Sequence, residues 1–183
     1  HPEAAVQLAA SLKEKGYSFR MSMIGNGEME MQLHDMIREK GLEDCVEMLG
    51  AMPPEEVRRH MEKADIYLFT SDFNEGWGAV LNESMNGGCA VVASHAIGSV
   101  PFLIKNGENG LIYENGNQLD LEKQVLRLLE DGAFRKKIAE NAYETMINLW
   151  NAETAAERFL TLAEKLLKNE NTDSLFRDGP CSK

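Results

Sequence analysis

Apolar residues recur along this chain in two alternating rhythms. Ala5, Leu8, Ala9 and Leu12 fall at helical spacing, and Gly16 closes that helix. Phe19 to Ile24 then reads as a strand running into Gly25-Asn26-Gly27. The next helix carries Met29, Leu33, Met36 and Ile37 on one face and ends near Gly41. Val46 to Leu49 is a short strand stopped at Gly50, and Pro53-Pro54-Glu55-Glu56 opens a helix with Val57, Met61 and Ala64 facing inward. Ile66 to Phe69 is a third strand. A helix starting near Gly78 ends at Met85-Asn86-Gly87-Gly88, because paired glycines are a usual way out of a helix. Cys89-Ala90-Val91-Val92-Ala93 is a short apolar run of the kind a buried parallel strand shows.

Asn106 to Gly110 is a turn cluster, and Leu111-Ile112-Tyr113 a last short strand. From Gln118 onward the pattern is helical. Leu121, Val125, Leu128 and Leu129 form one stripe; Phe134, Ile138, Ala142 and Met146 form another. Ala156, Phe159, Leu160, Ala163 and Leu167 form a third, after a break near Trp150-Asn151. Residues 169–183 are polar and patternless, so a domain over 1–168 with a loose C-terminal tail is expected.

Strand and helix alternating this often predict an α/β fold, a parallel sheet with helices on both faces. Ligands of such sheets bind beyond the carboxyl ends of the strands. Gly25-Asn26-Gly27, the turn after Gly50, Asp72 to Gly78, and Ser94 to Ser99 all fall at such ends and are expected to share one rim.

Charge narrows the partners. The 183 residues carry 19 basic against 30 acidic side chains, a net charge of -11, with no Lys/Arg block. That balance speaks against a nucleic-acid surface or an anionic membrane patch. An anionic ligand can still bind through backbone N–H groups. Cys45, Cys89 and Cys181 are odd in number and scattered without a C-x-x-C, which favours a reducing compartment. No apolar run is long enough to span a bilayer. The chain opens without Met on a helix start, and reads as an excised piece.

The candidate chemistry lies in Glu75-Gly76-Trp77-Gly78-Ala79 and in Glu83, eight positions after Glu75. Helical side chains tilt toward the N-terminus, so Glu83 reaches back toward the loop that holds Glu75. Between the two acids, Gly76 to Ala79 offer free N–H groups and the positive end of a helix dipole, a place for phosphate oxygens. A carboxylate accepts two hydrogen bonds side by side and suits a pair of neighbouring hydroxyls. Acid, anion cradle, acid matches a ligand with hydroxyls at both ends and a diphosphate between, the layout of a nucleotide-sugar. On spacing alone, two glutamates that merely favour a helix dipole are the commoner case. Gly25-Asn26-Gly27 is a weak signal, and His95 on the same rim reads as a solvated loop histidine. Glu28, Glu30 and Glu43-Asp44 read as solvated faces. No D-x-D triplet and no His/Cys cluster has metal spacing, so neither a metal nor another cofactor is expected.

These residues also carry a resemblance. The run from Glu75-Gly76-Trp77-Gly78 through Glu83-Ser84-Met85 to Gly88-Cys89-Ala90-Val91-Val92-Ala93 resembles the E-x7-E signature of retaining family 4 glycosyltransferases, which have the GT-B architecture. Ile24-Gly25-Asn26-Gly27-Glu28, Leu49-Gly50 followed by Pro53 and Glu55-Glu56, Lys63-Ala64-Asp65, and Asn106-Gly107-Glu108-Asn109-Gly110-Leu111 are similar to further landmarks of that family, in its order, over roughly residues 1 to 165. The resemblance implies the Rossmann-like, nucleotide-sugar-binding C-terminal half of a two-domain enzyme. By its pattern Glu75 would hold donor-sugar hydroxyls as the catalytic-site acid, and Glu83 the ribose diol. Backbone of Gly76, Trp77, Gly78 and Ala79 would meet diphosphate and sugar, Ala51 and Met52 the base, and Gly25 and Gly27 would line the nucleotide cleft.

The implied reaction transfers a hexose-type sugar from the nucleotide diphosphate to an acceptor hydroxyl with retained configuration and no obligatory metal. The acceptor-binding N-terminal domain would lie outside this chain, so the chain alone is expected to be inactive. The implied setting is cytoplasmic, or peripheral at the inner membrane face. Two departures stand out: Gly98-Ser99-Val100-Pro101-Phe102 has Phe102 where the family often has an acid, and the family's diphosphate-facing Arg and Lys would precede His1. The family's first strand would precede His1 too, so the strands at Phe19 and Ile66 are expected to pair directly, or a neighbouring chain to fill the gap as a dimer. A nucleotide-sugar epimerase of the same fold and a non-catalytic Rossmann-like interaction domain are the alternatives.

Overall fold

In a computed structural model that describes residues 1–182, the alternation becomes α1 (Pro2–Glu14), β1 (Met21–Ile24), α2 (Glu30–Glu39), β2 (Val46–Gly50), α3 (Pro54–Met61) and β3 (Ile66–Phe69). It continues with α4 (Val80–Asn86), β4 (Ala90–Ser94), α5 (Val100–Leu103), β5 (Leu111–Tyr113), α6 (Gln118–Glu130), α7 (Gly132–Asn148) and α8 (Ala152–Leu167). All pairings between these strands are parallel, as strands joined by helical crossovers must be. All five residues of β4 are buried, which explains its unbroken apolar run. Ala90 and Val92 face a core with Leu8, Leu111, Leu121 and Leu128. Val91 and Ala93 face the opposite core, with Met61, Phe69, Leu81 and Met85.

The direct pairing expected between the Phe19 and Ile66 segments does not occur. The strands form two sheets, β1-β2 and β3-β4-β5, with no hydrogen-bonded ladder between β1 and β3. Side chains join them instead. Phe19 packs in both the core under β3–β5 and the smaller core of β1–β2, so ring and helix side chains set the separation that backbone pairing would otherwise set. Helix α1 spans both: Leu8 and Leu12 enter the first core, Val6 and Ala9 the second.

Helix α1 also fixes the relative direction of the two sheets. At its start, His1 Nε2 lies 3.2 Å from Asp72 Oδ2, just past the C-terminal end of β3. At its end, Lys13 Nζ donates to Asp44 Oδ1 and to the Gly41 carbonyl at 2.6 Å, just before β2 begins. Strands of both sheets therefore finish on the His1 side, and the shared rim expected from the sequence is formed.

Each C-terminal helix has its own side-chain N-cap. Asn117, Asp131 and Asn151 accept from the backbone N–H of Asp120, Phe134 and Thr154 and so start α6, α7 and α8 separately. Helix α8 has an apolar stripe yet no buried residue; Phe159, Leu160 and Leu167 are exposed. Past α8 the described residues form no regular element, yet they fold back: Arg158 stacks on Phe176 and bonds the Asp178 carbonyl, and Lys105 Nζ lies 3.3 Å from Asp178.

Candidate functional site

The loop from Asp72 to Ala79 connects β3 to α4 and holds the proposed donor residues. Its first half is an Asx turn, with Asp72 Oδ1 accepting from the Asn74 N–H at 2.8 Å and the Asp72 carbonyl from the Glu75 N–H at 3.1 Å. Gly78 takes φ +74°, and a Cβ there would stand 2.8 Å from the Phe69 ring, so position 78 is closed to side chains on two counts. From behind, the loop after β4 props it. A Cβ at Gly98 would lie 2.0 Å from the Gly76 carbonyl oxygen, and the Ser99 N–H donates to the Trp77 carbonyl at 3.1 Å.

That support turns the carbonyls of Gly76 and Trp77 toward the 95–99 loop. The N–H groups of Gly76, Trp77, Gly78 and Ala79 donate to no group among the described residues. Helix α4 has only seven residues, so this run of unpaired amides, rather than a long helix dipole, is what the loop offers an anion. Glu83 is exposed and Glu75 half-buried, and neither carboxylate forms a hydrogen bond or ion pair among the described residues. Both lie close enough to Tyr67 to act on its phenol, which burial first, then Cys89, Glu83 and Glu75, push up to about 12. Tyr67, on β3, is thus within electrostatic reach of both acids. Nothing in its own sequence neighbourhood singles it out.

Trp77 is part exposed and held in place. Its indole Nε1–H donates to Asn82 Oδ1 at 2.9 Å, and its ring lies 5.6 Å from Phe102 and 5.7 Å from Trp150. Phe102, at the position where an acid was expected from the resemblance, therefore belongs to an aromatic group on the α7 side of the loop. Gly98 and Ser99 fall on the expected rim, but their part in supporting the Glu75–Ala79 loop had no sign in the sequence beyond a glycine after a buried strand.

On the β1–β2 sheet, Gly25 takes φ +132° and its N–H donates to the Gly50 carbonyl at 2.8 Å, tying the turns after β1 and β2 together. Gly25, Gly27 and Ala51 are exposed on the rim and Met52 is half-buried. The structure thus brings Glu75, Gly76 to Ala79 and Glu83 into one loop–helix unit, and sets Gly25, Gly27, Ala51 and Met52 on the same rim from the other sheet. No group of three or more His, Cys, Asp or Glu that could hold a metal exists among the described residues. No helix among them is long and apolar enough to cross a membrane.

A parallel α/β sheet with loops of this kind on its carboxyl rim defines the class: a Rossmann-like domain of the kind that forms the C-terminal half of GT-B enzymes. The chain belongs to the family described as glycosyl transferases group 1, which residues 1–145 match. It is 31% identical over 167 residues to the amylovoran biosynthesis glycosyltransferase AmsK of Erwinia amylovora, covering 88% of this chain and 41% of AmsK. A structure of TarM from S. aureus in complex with UDP superposes with a TM-score of 0.78 at 22% identity, over 88% of this chain and 32% of that one. The C-terminal domain of the LpcC glycosyl transferase from Francisella tularensis gives a TM-score of 0.72 at 24% identity, over 80% of this chain and 77% of that domain. The chain thus spans about two fifths of AmsK.

Proposed function

We propose that this chain is the donor-binding part of a retaining glycosyltransferase that moves a hexose-type sugar from a nucleoside diphosphate to an acceptor hydroxyl. The observation that carries the reading is the pair of unpartnered carboxylates, Glu75 and Glu83, on either side of four unpaired backbone N–H groups. In this reading Glu83 accepts from the ribose diol and Glu75 from hydroxyls of the sugar. The amides of Gly76 to Ala79 meet the diphosphate, whose charge grows as the glycosidic bond breaks, so they stabilise the transition state more than the ground state. Main chain at Ala51 and Met52 meets the base, and Gly25 and Gly27 let the nucleotide approach the backbone. No resident metal is assigned. The reading draws support from the structure of a relative, HepE of Anabaena, in complex with UDP and glucose. Membership beside AmsK suits a role in cell-surface polysaccharide assembly on the cytoplasmic side.

In this reading the acceptor is held by a second, acceptor-binding domain that completes the site over the rim. The test is calorimetry on the intact protein with UDP, GDP and ADP and their hexose forms. One diphosphate is expected to bind wild-type protein. Glu83→Gln should weaken the diphosphate and its sugar form alike, Glu75→Gln only the sugar form, each by about tenfold. Product NMR should show the donor's anomeric configuration. Absence of binding by all three nucleotides would leave the non-catalytic reading in its place.

A further inference from the structure

His95 follows β4, between the loop that holds Glu75 and the turn after β5. Its backbone N–H donates to the Tyr113 carbonyl at 3.0 Å, and its ring Nδ1 accepts from the Asn115 N–H at 2.9 Å. A peptide N–H can only donate, so Nδ1 must carry a lone pair and the ring proton of the neutral imidazole sits on Nε2. That Nε2–H has no partner among the described residues, and the residue is exposed. The imidazole and the Phe73 ring meet in a T-shaped contact, with centroids 5.5 Å apart and planes at 84°. Phe73 is itself 74% exposed and stands two residues before Glu75.

An apolar ring left this open beside a fixed, unpartnered donor is not explained by packing. The pair offers one oriented N–H and one flat apolar face, which together match a pyranose ring: hydroxyl oxygens accept, and the C–H face of the sugar lies against an aromatic ring. We propose that Phe73 and His95 form a sugar subsite on the rim, His95 Nε2–H donating to a hydroxyl of a pyranose and Phe73 packing on its C–H face. This rests on the donor-site reading above and adds to it a recognition element on the β4–β5 side. The sugar is either that of the donor or that of the acceptor.

Two substitutions separate the ring's two nitrogens. Asn places an acceptor oxygen near the Nδ1 position, so His95→Asn keeps the Asn115 bond and loses the outward donor. Gln places its amide N–H near the Nε2 position, so His95→Gln does the reverse. In the intact protein, with whichever nucleoside diphosphate binds wild type and with its glucose, galactose and mannose forms, His95→Asn is expected to lose about five- to tenfold in a sugar-dependent quantity, and His95→Gln to stay within about twofold. A loss confined to the sugar form of the nucleotide assigns the subsite to the donor sugar. An unchanged donor affinity with a raised acceptor KM assigns it to the acceptor. Phe73→Ala should move the same quantity in the same direction. The proposal is overturned if neither quantity changes, if both His95 variants lose equally, or if the free diphosphate weakens as much as its sugar form. Failure of wild-type protein to bind any nucleotide would instead bring down the donor-site reading itself.

Discussion

Gly98 is where the backbone has least room, since any Cβ would overlap the Gly76 carbonyl. Gly98→Ala must therefore push the Glu75–Ala79 loop away from its support. An overpacked contact of this kind costs about 1–3 kcal/mol, seen as a lowered Tm, and the displaced amides should weaken nucleoside diphosphate binding at the same time. Full retention of both would show that the two loops do not lean on one another. A second residue-scale effect depends on pH. Glu3, at 2.8 Å, and then Asp72 raise the His1 pKa above its ordinary 6.5, while Asp72 is lowered first by the Asn74 N–H. The His1 contribution is therefore complete below about pH 6.5 and is lost as pH rises through the raised value; that of Asp72 is present above its ordinary 3.8 and lost as pH falls through the lowered one. Tm is expected to decline between pH 6 and 8, and His1→Gln should flatten that decline. A wild-type slope unchanged in His1→Gln would place its cause elsewhere.

At the scale of elements, α1 and α8 look alike in sequence and differ in consequence. Both are amphipathic, yet α1 buries Ala5, Val6, Leu8, Ala9 and Leu12 and reaches the cores of both sheets, while α8 buries none. Leu8→Ala removes a side chain that is 0% exposed and should cost about 2–5 kcal/mol in denaturant unfolding. Leu160→Ala, 66% exposed, should stay within about 0.5 kcal/mol. Equal effects would mean that α8 is covered in solution. The same contrast shows what the sequence can reveal. Periodicity located every strand and most helices, because apolar spacing follows directly from helix and strand geometry. It set the stripes of α6 and α7 apart but marked no boundary between them, although Asp131-Gly132 was the signal, with Asp131 capping three residues ahead. The four-residue α5 is too short to show a period. Whether a stripe is buried depends on partners distant in the chain, so the exposure of Phe159 and Leu160 had no local sign. Likewise Glu75 and Glu83 were legible through motif and spacing, whereas Tyr67 and Gly98 act through contacts between strands and loops that only the fold creates.

For the molecule as a whole, the break between β1 and β3 is the feature with the sharpest consequence. In a parallel ladder the N–H and C=O of one residue point the same way, and successive residues alternate. The Ala90 N–H donates to the Asp65 carbonyl while Ile66 and Ala90 are ladder partners, so Asp65, Tyr67 and Phe69 direct their backbone groups to β4. Ile66 and Leu68 then direct theirs to the unpaired side. On the other sheet the Met21 N–H donates to the Cys45 carbonyl, which turns Met21 and Met23 to β2 and Ser22 to the unpaired side. Hydrogen exchange resolved by residue should therefore alternate along β3, fast at Ile66 and Leu68 and slow at Tyr67 and Phe69, with β4, paired on both edges, slowest of all. Ser22 should exchange with the fast set. Equal protection of Ile66 and Tyr67 would mean that a further strand lies between the sheets in solution. If that protection vanished on dilution, the strand would come from a second copy of this chain, the strand-filling dimer; if it persisted, it would come from the same polypeptide.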